Sequence, residues 1–144
     1  MLFRYTIVGA LLAWINPCVL SAQSDNQPPS KIHLELNTVS DTEAACRLTF
    51  VANNGTNSPI DQAIFETVVF DSSGSVFTLS LFDFRDLPQG RTRVRQFDVP
   101  GIACSSIGRV LINGANTCSA NGADSTLCDN GLSLSSKIAV ELLG

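Results

Sequence analysis

Three arginines with alternate spacing are the first residues of this chain that suggest chemistry. Arg91, Arg93 and Arg95 alternate with other residues, so on an extended strand their guanidinium groups point to one face. Arg85 is close in sequence, and Arg109 is a further candidate that the fold would have to bring near. Guanidinium groups bind carboxylates and phosphates through paired hydrogen bonds. The pattern predicts a strip that binds an anion or an acidic patch on a partner.

The same arginines have a structural alternative. Acidic residues that neighbouring strands could place beside them are Glu66, Asp83, Asp86 and Asp98. A ladder of cross-strand ion pairs would use the guanidinium groups without any ligand. Such surface pairs are common and contribute little stability. The sequence alone favours this structural interpretation and leaves the binding strip open.

The four cysteines after the N-terminal segment form an even set, Cys46, Cys104, Cys118 and Cys128. In an exported chain such a set indicates disulfide bonds. Of the three possible pairings we expect Cys46–Cys104 and Cys118–Cys128, because the second closes a short polar loop that has no core of its own. That loop is a candidate recognition surface, and the favoured alternative is a long connection that the disulfide keeps from fraying. A zinc site is the alternative, but no Cys-x-x-Cys pair is present.

Groups suited to catalysis are scarce in this sequence. His33 is the one histidine, and alternation places it on the wet face of an edge strand. None of the common nucleophile, metalloprotease or phosphate-loop motifs occurs. The carboxylates Asp83 and Asp86 flank Arg85 and suit ion pairing equally well. We therefore expect no enzyme activity, no catalytic residue, no metal and no cofactor.

The N-terminal segment predicts export. Arg4 precedes an apolar run at residues 6–15, and small residues follow up to Ser24. The run is typical of a signal peptide and too short to span a bilayer, although an uncleaved anchor is an alternative. Cleavage after Ala22 competes closely with cleavage after Ser24. The expected division is a signal peptide at residues 1–24, a flexible lead-in at 25–30 and one folded domain at 31–144.

Charge narrows the classes of partner. The chain of 144 residues has a formal net charge of −4, and loss of Arg4 leaves eight basic against thirteen acidic residues, a net charge of −5. A negative protein of this kind is not expected to bind nucleic acid or an anionic membrane. No later segment is apolar enough for membrane insertion after signal cleavage. We expect a periplasmic or secreted protein.

The arginines and cysteines must be positioned by strands. Between Ala63 and Val99, three runs rich in Val, Ile, Phe and Thr are separated by turn signals at residues 71–74 and 87–90. Both faces of the first two runs are largely apolar, so we expect a meander that further strands must cover. Alternation predicts more strands at residues 31–37, 46–51, 107–113 and 134–142. Seven strands without a helix indicate an immunoglobulin-like antiparallel β-sandwich.

Five motifs carry a resemblance to known proteins: CRLTF at 46–50, FETVVFD at 65–71, LPQGR at 87–91, RQFD at 95–98 and IGRVLIN at 107–113. They resemble a family of small exported proteobacterial proteins that are labelled by their signal sequence and have no assigned activity. More loosely, the strand and turn pattern is similar to bacterial Ig-like modules of the CARDB and FxLYD class. The resemblance implies an exported module and no catalytic residue.

These observations predict an exported, non-catalytic Ig-like module that binds a protein or an envelope component. One alternative is a structural accessory domain whose edge strands pair with another chain by strand addition. Another is a small hydrolase or enzyme inhibitor. Exposed, uncharged edge strands would favour strand addition. A pocket with a perturbed acid would favour an enzyme, and an unpaired arginine row would favour anion or partner binding.

Overall fold

A computed structural model describes residues 31–144, which form two β-sheets packed face to face. The predicted all-β sandwich is confirmed, while the immunoglobulin-like arrangement of its strands stays a prediction. The predicted signal peptide at residues 1–24 and lead-in at 25–30 lie outside the described residues. Within residues 31–144, no helix is long and apolar enough to cross a membrane.

Nine strands make up the described part of the chain, and seven of them have five residues or more. They are β1 (Ile32–Asp41), β2 (Ala45–Asn54), β3 (Ile60–Asp71), β4 (Val76–Leu87), β5 (Thr92–Pro100), β6 (Ile107–Ala120), β7 (Ala123–Asp124), β8 (Leu132–Ser136) and β9 (Glu141–Leu143). A 3-10 turn at Cys104–Ser106 precedes β6, and one helical turn, α1 (Leu127–Asn130), precedes β8. The seven longer strands agree with the predicted number.

Strand order places β4 and β5 at the edges of different sheets. The first sheet has the order β5-β2-β1-β8, and the second has the order β4-β3-β6-β7 with β9 also pairing with β6. β8 runs parallel to β1 and β9 parallel to β6, whereas the other pairs are antiparallel. Both sheets are therefore mixed, and the expectation of a purely antiparallel sandwich is wrong. β3 is central, as the two apolar faces of its sequence predicted.

The predicted three-strand meander is wrong. β3 and β4 form a hairpin, but β5 pairs with β2 in the opposite sheet. The turn signal at residues 87–90 therefore carries the chain between sheets. Gly90 has φ 68° there, a left-handed conformation that suits glycine, and its N–H donates to the carbonyl of Asn54 at 2.8 Å. Period-two alternation identified both strands but could not identify their neighbours.

The core lies between the sheets and uses the faces that alternation predicted. The fully buried residues of β1 and β2 include Ile32, Leu34, Leu36, Cys46, Leu48 and Phe50. An aromatic cluster from four strands extends this core: Phe50, Phe65, Phe82, Phe84 and Phe97. The Phe82 and Phe97 rings stack with centroids 4.2 Å apart. This stack joins β4 to β5 and closes one side of the sandwich.

Both predicted disulfides are present. Cys46–Cys104 joins β2 in the first sheet to the turn that begins β6 in the second, with a Cα–Cα distance of 4.9 Å. Cys118–Cys128 joins β6 to α1 with a Cα–Cα distance of 6.0 Å. Because each of the four sulfurs is bonded to its partner in one of these two disulfides, none of these cysteines offers a thiolate to zinc.

Two strand boundaries differ from the prediction. β6 continues through Asn113-Gly114, where a turn was expected, and its register against β3 shifts at Asn113 and again at Asn116. These bulges accommodate the turn-forming residues within the strand. The last predicted strand, 134–142, is divided between the sheets, because residues 137–140 carry the chain from β8 to β9. The Ser136 hydroxyl donates to the Val140 carbonyl at 2.6 Å and holds this crossing.

Candidate functional site

An exposed apolar surface on β4 is the clearest candidate site. Val76, Leu79 and Leu81 are 61%, 54% and 54% exposed. We call these three residues the β4 stripe. They pair with alternate residues of β3 and so share a face, whereas Phe77 is the extra residue of a bulge and its ring approaches Gly101, which follows β5 in the first sheet. Contiguous exposed apolar side chains of this kind are typical of interaction surfaces.

The β4 stripe corrects the expectation that β4 is covered on both faces. On the inner face Phe82 and Phe84 are buried, but the first sheet can cover only that face. β4 also pairs with β3 alone, so along its other side the backbone N–H and C=O groups meet no strand of residues 31–144. From Val76 to Phe82 the sequence contains neither charge nor proline. This segment is therefore an open edge.

β5, the neighbouring edge strand, is protected. Its inward side carries the half-buried Arg93 and Arg95, and the strand ends at Pro100. Inward charges and proline are devices by which edge strands avoid pairing with other chains. The two edges that border the same side of the sandwich thus have opposite character.

Arg95 also protects the C-terminal end of β4. Its Nε donates to the Phe84 carbonyl at 2.7 Å, and its Nη2 donates to the Asp86 carbonyl at 3.2 Å. Both carbonyls point away from β3, because they face a side chain of the other sheet. The guanidinium therefore occupies the edge at residues 84–86 and leaves Val76 to Phe82 open.

Ion pairs account for the central arginines of the predicted strip. Arg93 and Arg95 contact the two carboxylate oxygens of Asp86 at 3.1 Å and 3.3 Å. The hydrogen bond from Arg93 is the main cause that holds the pKa of Asp86 below its usual range. Asp98 instead makes a bidentate pair with Arg47 at 2.7 Å and 2.8 Å, which lowers the pKa of Asp98.

The remaining arginines are dispersed. Arg91 is exposed just before β5, and Arg85 is exposed on β4 with φ 59°. The expectation that Arg109 joins them is wrong: its guanidinium lies 4.7 Å from the ring centroid of Phe70. On β3, Phe70 is seven residues from Ala63, the partner of Arg85, a separation of roughly 23 Å. The anion-binding role stays a prediction, and the contacts of Arg93 and Arg95 favour the structural alternative.

A cleft of about 510 Å³ runs between the two edge strands. Leu81 and Val94 contribute apolar walls, while Arg85 and Arg95 contribute positive charge. The open edge of β4 forms one rim of this cleft. An added strand beside β4 would therefore direct alternate side chains into it.

His33 has neighbours that no local pattern could reveal. Its Nδ1 lies 3.3 Å from the Ser133 hydroxyl, and its Nε2 lies 3.1 Å from the Ser135 hydroxyl. Both serines belong to β8, so β1 is a central strand and the expected edge position is wrong. A serine and a histidine can act as nucleophile and base when a third group orients the ring. Here both ring nitrogens contact serines, so no carboxylate orients the ring.

The loop closed by Cys118–Cys128 is tied to the sandwich. Asn121 and Gly122 form the hairpin between β6 and β7 with φ of 52° and 75°, as in a type I′ turn. The Gly122 N–H donates to Asp61 at 2.8 Å, and Asp129 accepts from the Ala115 N–H at 2.8 Å. These contacts support a structural role for the loop. Among the described residues, no three His, Cys, Asp or Glu side chains are placed to hold a metal.

Comparisons of the chain with protein-family models, with curated proteins and with solved structures found no match. The resemblance to small exported proteobacterial proteins and to Ig-like modules therefore stays a prediction. The candidate site rests on the geometry of two edge strands, one open and one protected.

Proposed function

We propose that this chain is an exported, non-catalytic binding module that captures an extended segment of a partner protein by strand addition along β4. The observation that supports this proposal is the open edge from Val76 to Phe82, which is uncharged, free of proline and apolar on its outer face. By contrast, the edge formed by β5 is protected against pairing by its inward arginines and its proline. A protein that only needed solubility would have protected both edges.

Strand addition explains what each part of the edge contributes. Backbone hydrogen bonds to β4 supply affinity, and the alternate side chains of the added strand supply specificity. One set of these side chains would extend the β4 stripe beside Leu79 and Leu81. The other set would enter the cleft near Val94. The favoured partner segment is therefore extended, uncharged in its centre and apolar on at least one face.

Export is part of the same proposal. Two disulfides suit an oxidising compartment, and we propose a periplasmic or secreted location. We also propose, on the motifs at residues 46–50, 65–71 and 107–113, that the chain is related to small exported proteobacterial proteins. Binding of a protein segment gives such a module a role that needs no catalytic group.

Selection of peptides on the intact domain tests the proposal. Displayed nine-residue peptides are selected on the wild-type protein and then measured against Leu79→Lys and Leu143→Lys. Leu79 is 54% exposed on β4, and Leu143 is 38% exposed on β9, which lies across the second sheet and does not line the cleft, so both variants place the same charge at an exposed leucine. We expect Leu79→Lys to weaken peptide binding by about tenfold or more, because the lysine must lose water or be displaced. Leu143→Lys should bind as the wild type does.

The chemistry of the selected peptides provides a second readout. Strand addition predicts proline-free peptides with alternate apolar residues, and N-methylation of alternate backbone amides should abolish their binding. Thermal unfolding of the three proteins controls for folding. Peptides that bind both lysine variants equally well, or that tolerate N-methylation at every position, would overturn the proposal.

A further inference from the structure

We infer that the segment that pairs with β4 is the C-terminal end of a partner protein, which runs parallel to β4 and places its terminal carboxylate against the guanidinium of Arg85. This inference rests on the proposed strand addition and names the chemistry of the partner segment. It is carried by the limits of the open edge, by the hydrogen-bonding groups at its Arg85 end and by the charges that flank it.

The stretch of edge available to an added strand is short and bounded at both ends. At one end Phe77 is the extra residue of a bulge against β3, and its ring approaches Gly101 of the first sheet. At the other end the guanidinium of Arg95 occupies the edge by donating to two carbonyls of β4 that point away from β3. Residues 78–83 lie between these limits and span roughly 20 Å. An added strand must therefore end, or leave the sheet, where it meets Arg95.

The Arg95 end of the edge offers hydrogen-bond donors rather than acceptors. A chain that continued past this point would bring backbone N–H groups that need acceptors. The outward carbonyls of Phe84 and Asp86 already accept from Arg95 at 2.7 Å and 3.2 Å. A terminal carboxylate has acceptors only, and the exposed Arg85, which lines the same cleft, has donors to match it. The end of a chain therefore satisfies this site better than a chain that continues.

Charge also favours a carboxylate at this end. From residue 83 to residue 95 the sequence contains four arginines and two aspartates, a local net charge of +2 in a chain whose formal net charge is −4. Asp86 pairs with two of these arginines, and Asp83 accepts the backbone N–H of Arg85 at 2.7 Å. Within residues 31–144, no carboxylate lies at ion-pair distance from the Arg85 guanidinium. A carboxylate from the partner would supply that ion pair.

The direction of the added strand follows from the charges at the two ends of the edge. β4 runs from its bulge toward Arg85, so a strand whose carboxyl end meets Arg85 is parallel to β4. In the opposite direction, the terminal carboxylate would approach the turn before β4, which contains Asp71. A hydrogen bond from the Ser73 hydroxyl is the main cause that holds the pKa of Asp71 below its usual range. The antiparallel direction would therefore bring two ionised carboxylates toward each other.

Peptides selected on the intact domain from a library with free C-termini test this inference, each one synthesised as the free acid and as the C-terminal amide. The free acid should bind the wild type at least about tenfold more tightly, because the amide loses a charge-assisted hydrogen bond. Arg85→Gln should reduce this ratio to less than about twofold. The control Arg109→Gln, which removes the same charge from an exposed arginine on β6, should keep the ratio of the wild type.

Extension of the peptide tests its direction. A glycine added after the last residue should weaken binding of the free acid, because it moves the carboxylate away from Arg85, whereas a glycine added before the first residue should not. Arg85→Lys should retain part of the preference for the free acid, since it keeps the charge but loses the planar fork of donors. Thermal unfolding of each variant controls for folding.

The outcomes separate this inference from the strand addition on which it rests. Equal affinity of acid and amide for the wild type, or a ratio that Arg85→Gln leaves unchanged, overturns the contact between the terminal carboxylate and Arg85. Peptides that depend on Leu79 but carry an internal acidic side chain and tolerate amidation also overturn it, while they support strand addition. If neither Leu79→Lys nor amidation changes the affinity, both proposals are wrong.

Discussion

The side-chain amide of Asn54 donates a hydrogen bond to the carbonyl oxygen of Leu87 at 2.8 Å and so joins the end of β2 to the end of β4 in the opposite sheet. Asn54 is fully buried. It also donates to the Ser58 carbonyl at 2.8 Å and accepts from the Thr56 N–H and hydroxyl at 2.9 Å and 2.6 Å. One side chain thereby uses its full hydrogen-bonding capacity at the point where the chain passes between the sheets.

Replacing Asn54 with alanine should destabilise the domain by about 2–3 kcal/mol, because several buried polar groups would lose their partner. The matched control is Asn53→Ala. Asn53 is half-buried, and its amide makes one long contact with the Thr92 hydroxyl at 3.4 Å. Urea unfolding measures both free energies. Equal losses in the two variants would show that the Asn54 network does not organise this turn.

The disulfides should differ in their contribution to stability. Cys46–Cys104 spans 58 residues of sequence and Cys118–Cys128 spans 10. Loop-closure entropy gives about 4 kcal/mol for the longer link and about 3 kcal/mol for the shorter one. Removing each pair by double alanine substitution, followed by denaturant unfolding, checks this order. A larger loss on removal of Cys118–Cys128 would contradict it.

Arg95→Ala should destabilise the fold more than Arg91→Ala does. The Arg95 side chain is 17% exposed and donates to two carbonyls of β4, so its removal leaves those carbonyls without a charged donor. We expect a loss of about 1.5–3 kcal/mol. Arg91 is exposed just before β5, and its replacement should change stability by less than about 0.5 kcal/mol. Comparable effects on the denaturation midpoint would contradict the capping role of Arg95.

Lowering the pH should remove the contribution of the Asp86 carboxylate to the stability of the folded protein. Its pKa is lowered, first by the hydrogen bond from Arg93 and then by the charges of Arg93 and Arg95. A lowered pKa in the folded state stabilises the protein fully above the ordinary aspartate pKa of about 4, and this stabilisation is lost as pH falls through the lower value. Wild type should therefore melt above Asp86→Asn at neutral pH and converge with it in acid. A difference that stays constant with pH would contradict this prediction.

Local patterns predicted the layers of this fold well. Alternation identified the buried residues of β1 and β2, because a strand with one covered face must place its apolar side chains on that face. Because Cys118–Cys128 was assigned to the short polar loop, Cys46 and Cys104 were left to pair with each other. Gly74 and Gly90 marked both turns of the central region, and both have positive φ in the structure.

Neighbours in space were not predictable in the same way. The sequence of β4 is apolar on both faces, and only the strand order shows that its outer face has no cover in residues 31–144. Likewise, β8 reaches His33 from 100 residues away by parallel pairing, and nothing local encodes that contact. Arg95 had plausible acidic partners in sequence, but its carbonyl partners on β4 depend on how the two edges meet.

Backbone hydrogen exchange tests most directly the claim that β4 is an open edge that another strand closes. In the protein alone, the amides of residues 78–83 that point away from β3 should exchange rapidly. A peptide selected on the intact domain should protect them, while the amides of β5 keep their exchange rates. Slow exchange of those β4 amides in the protein alone, or identical responses of β4 and β5 to the peptide, would contradict the account.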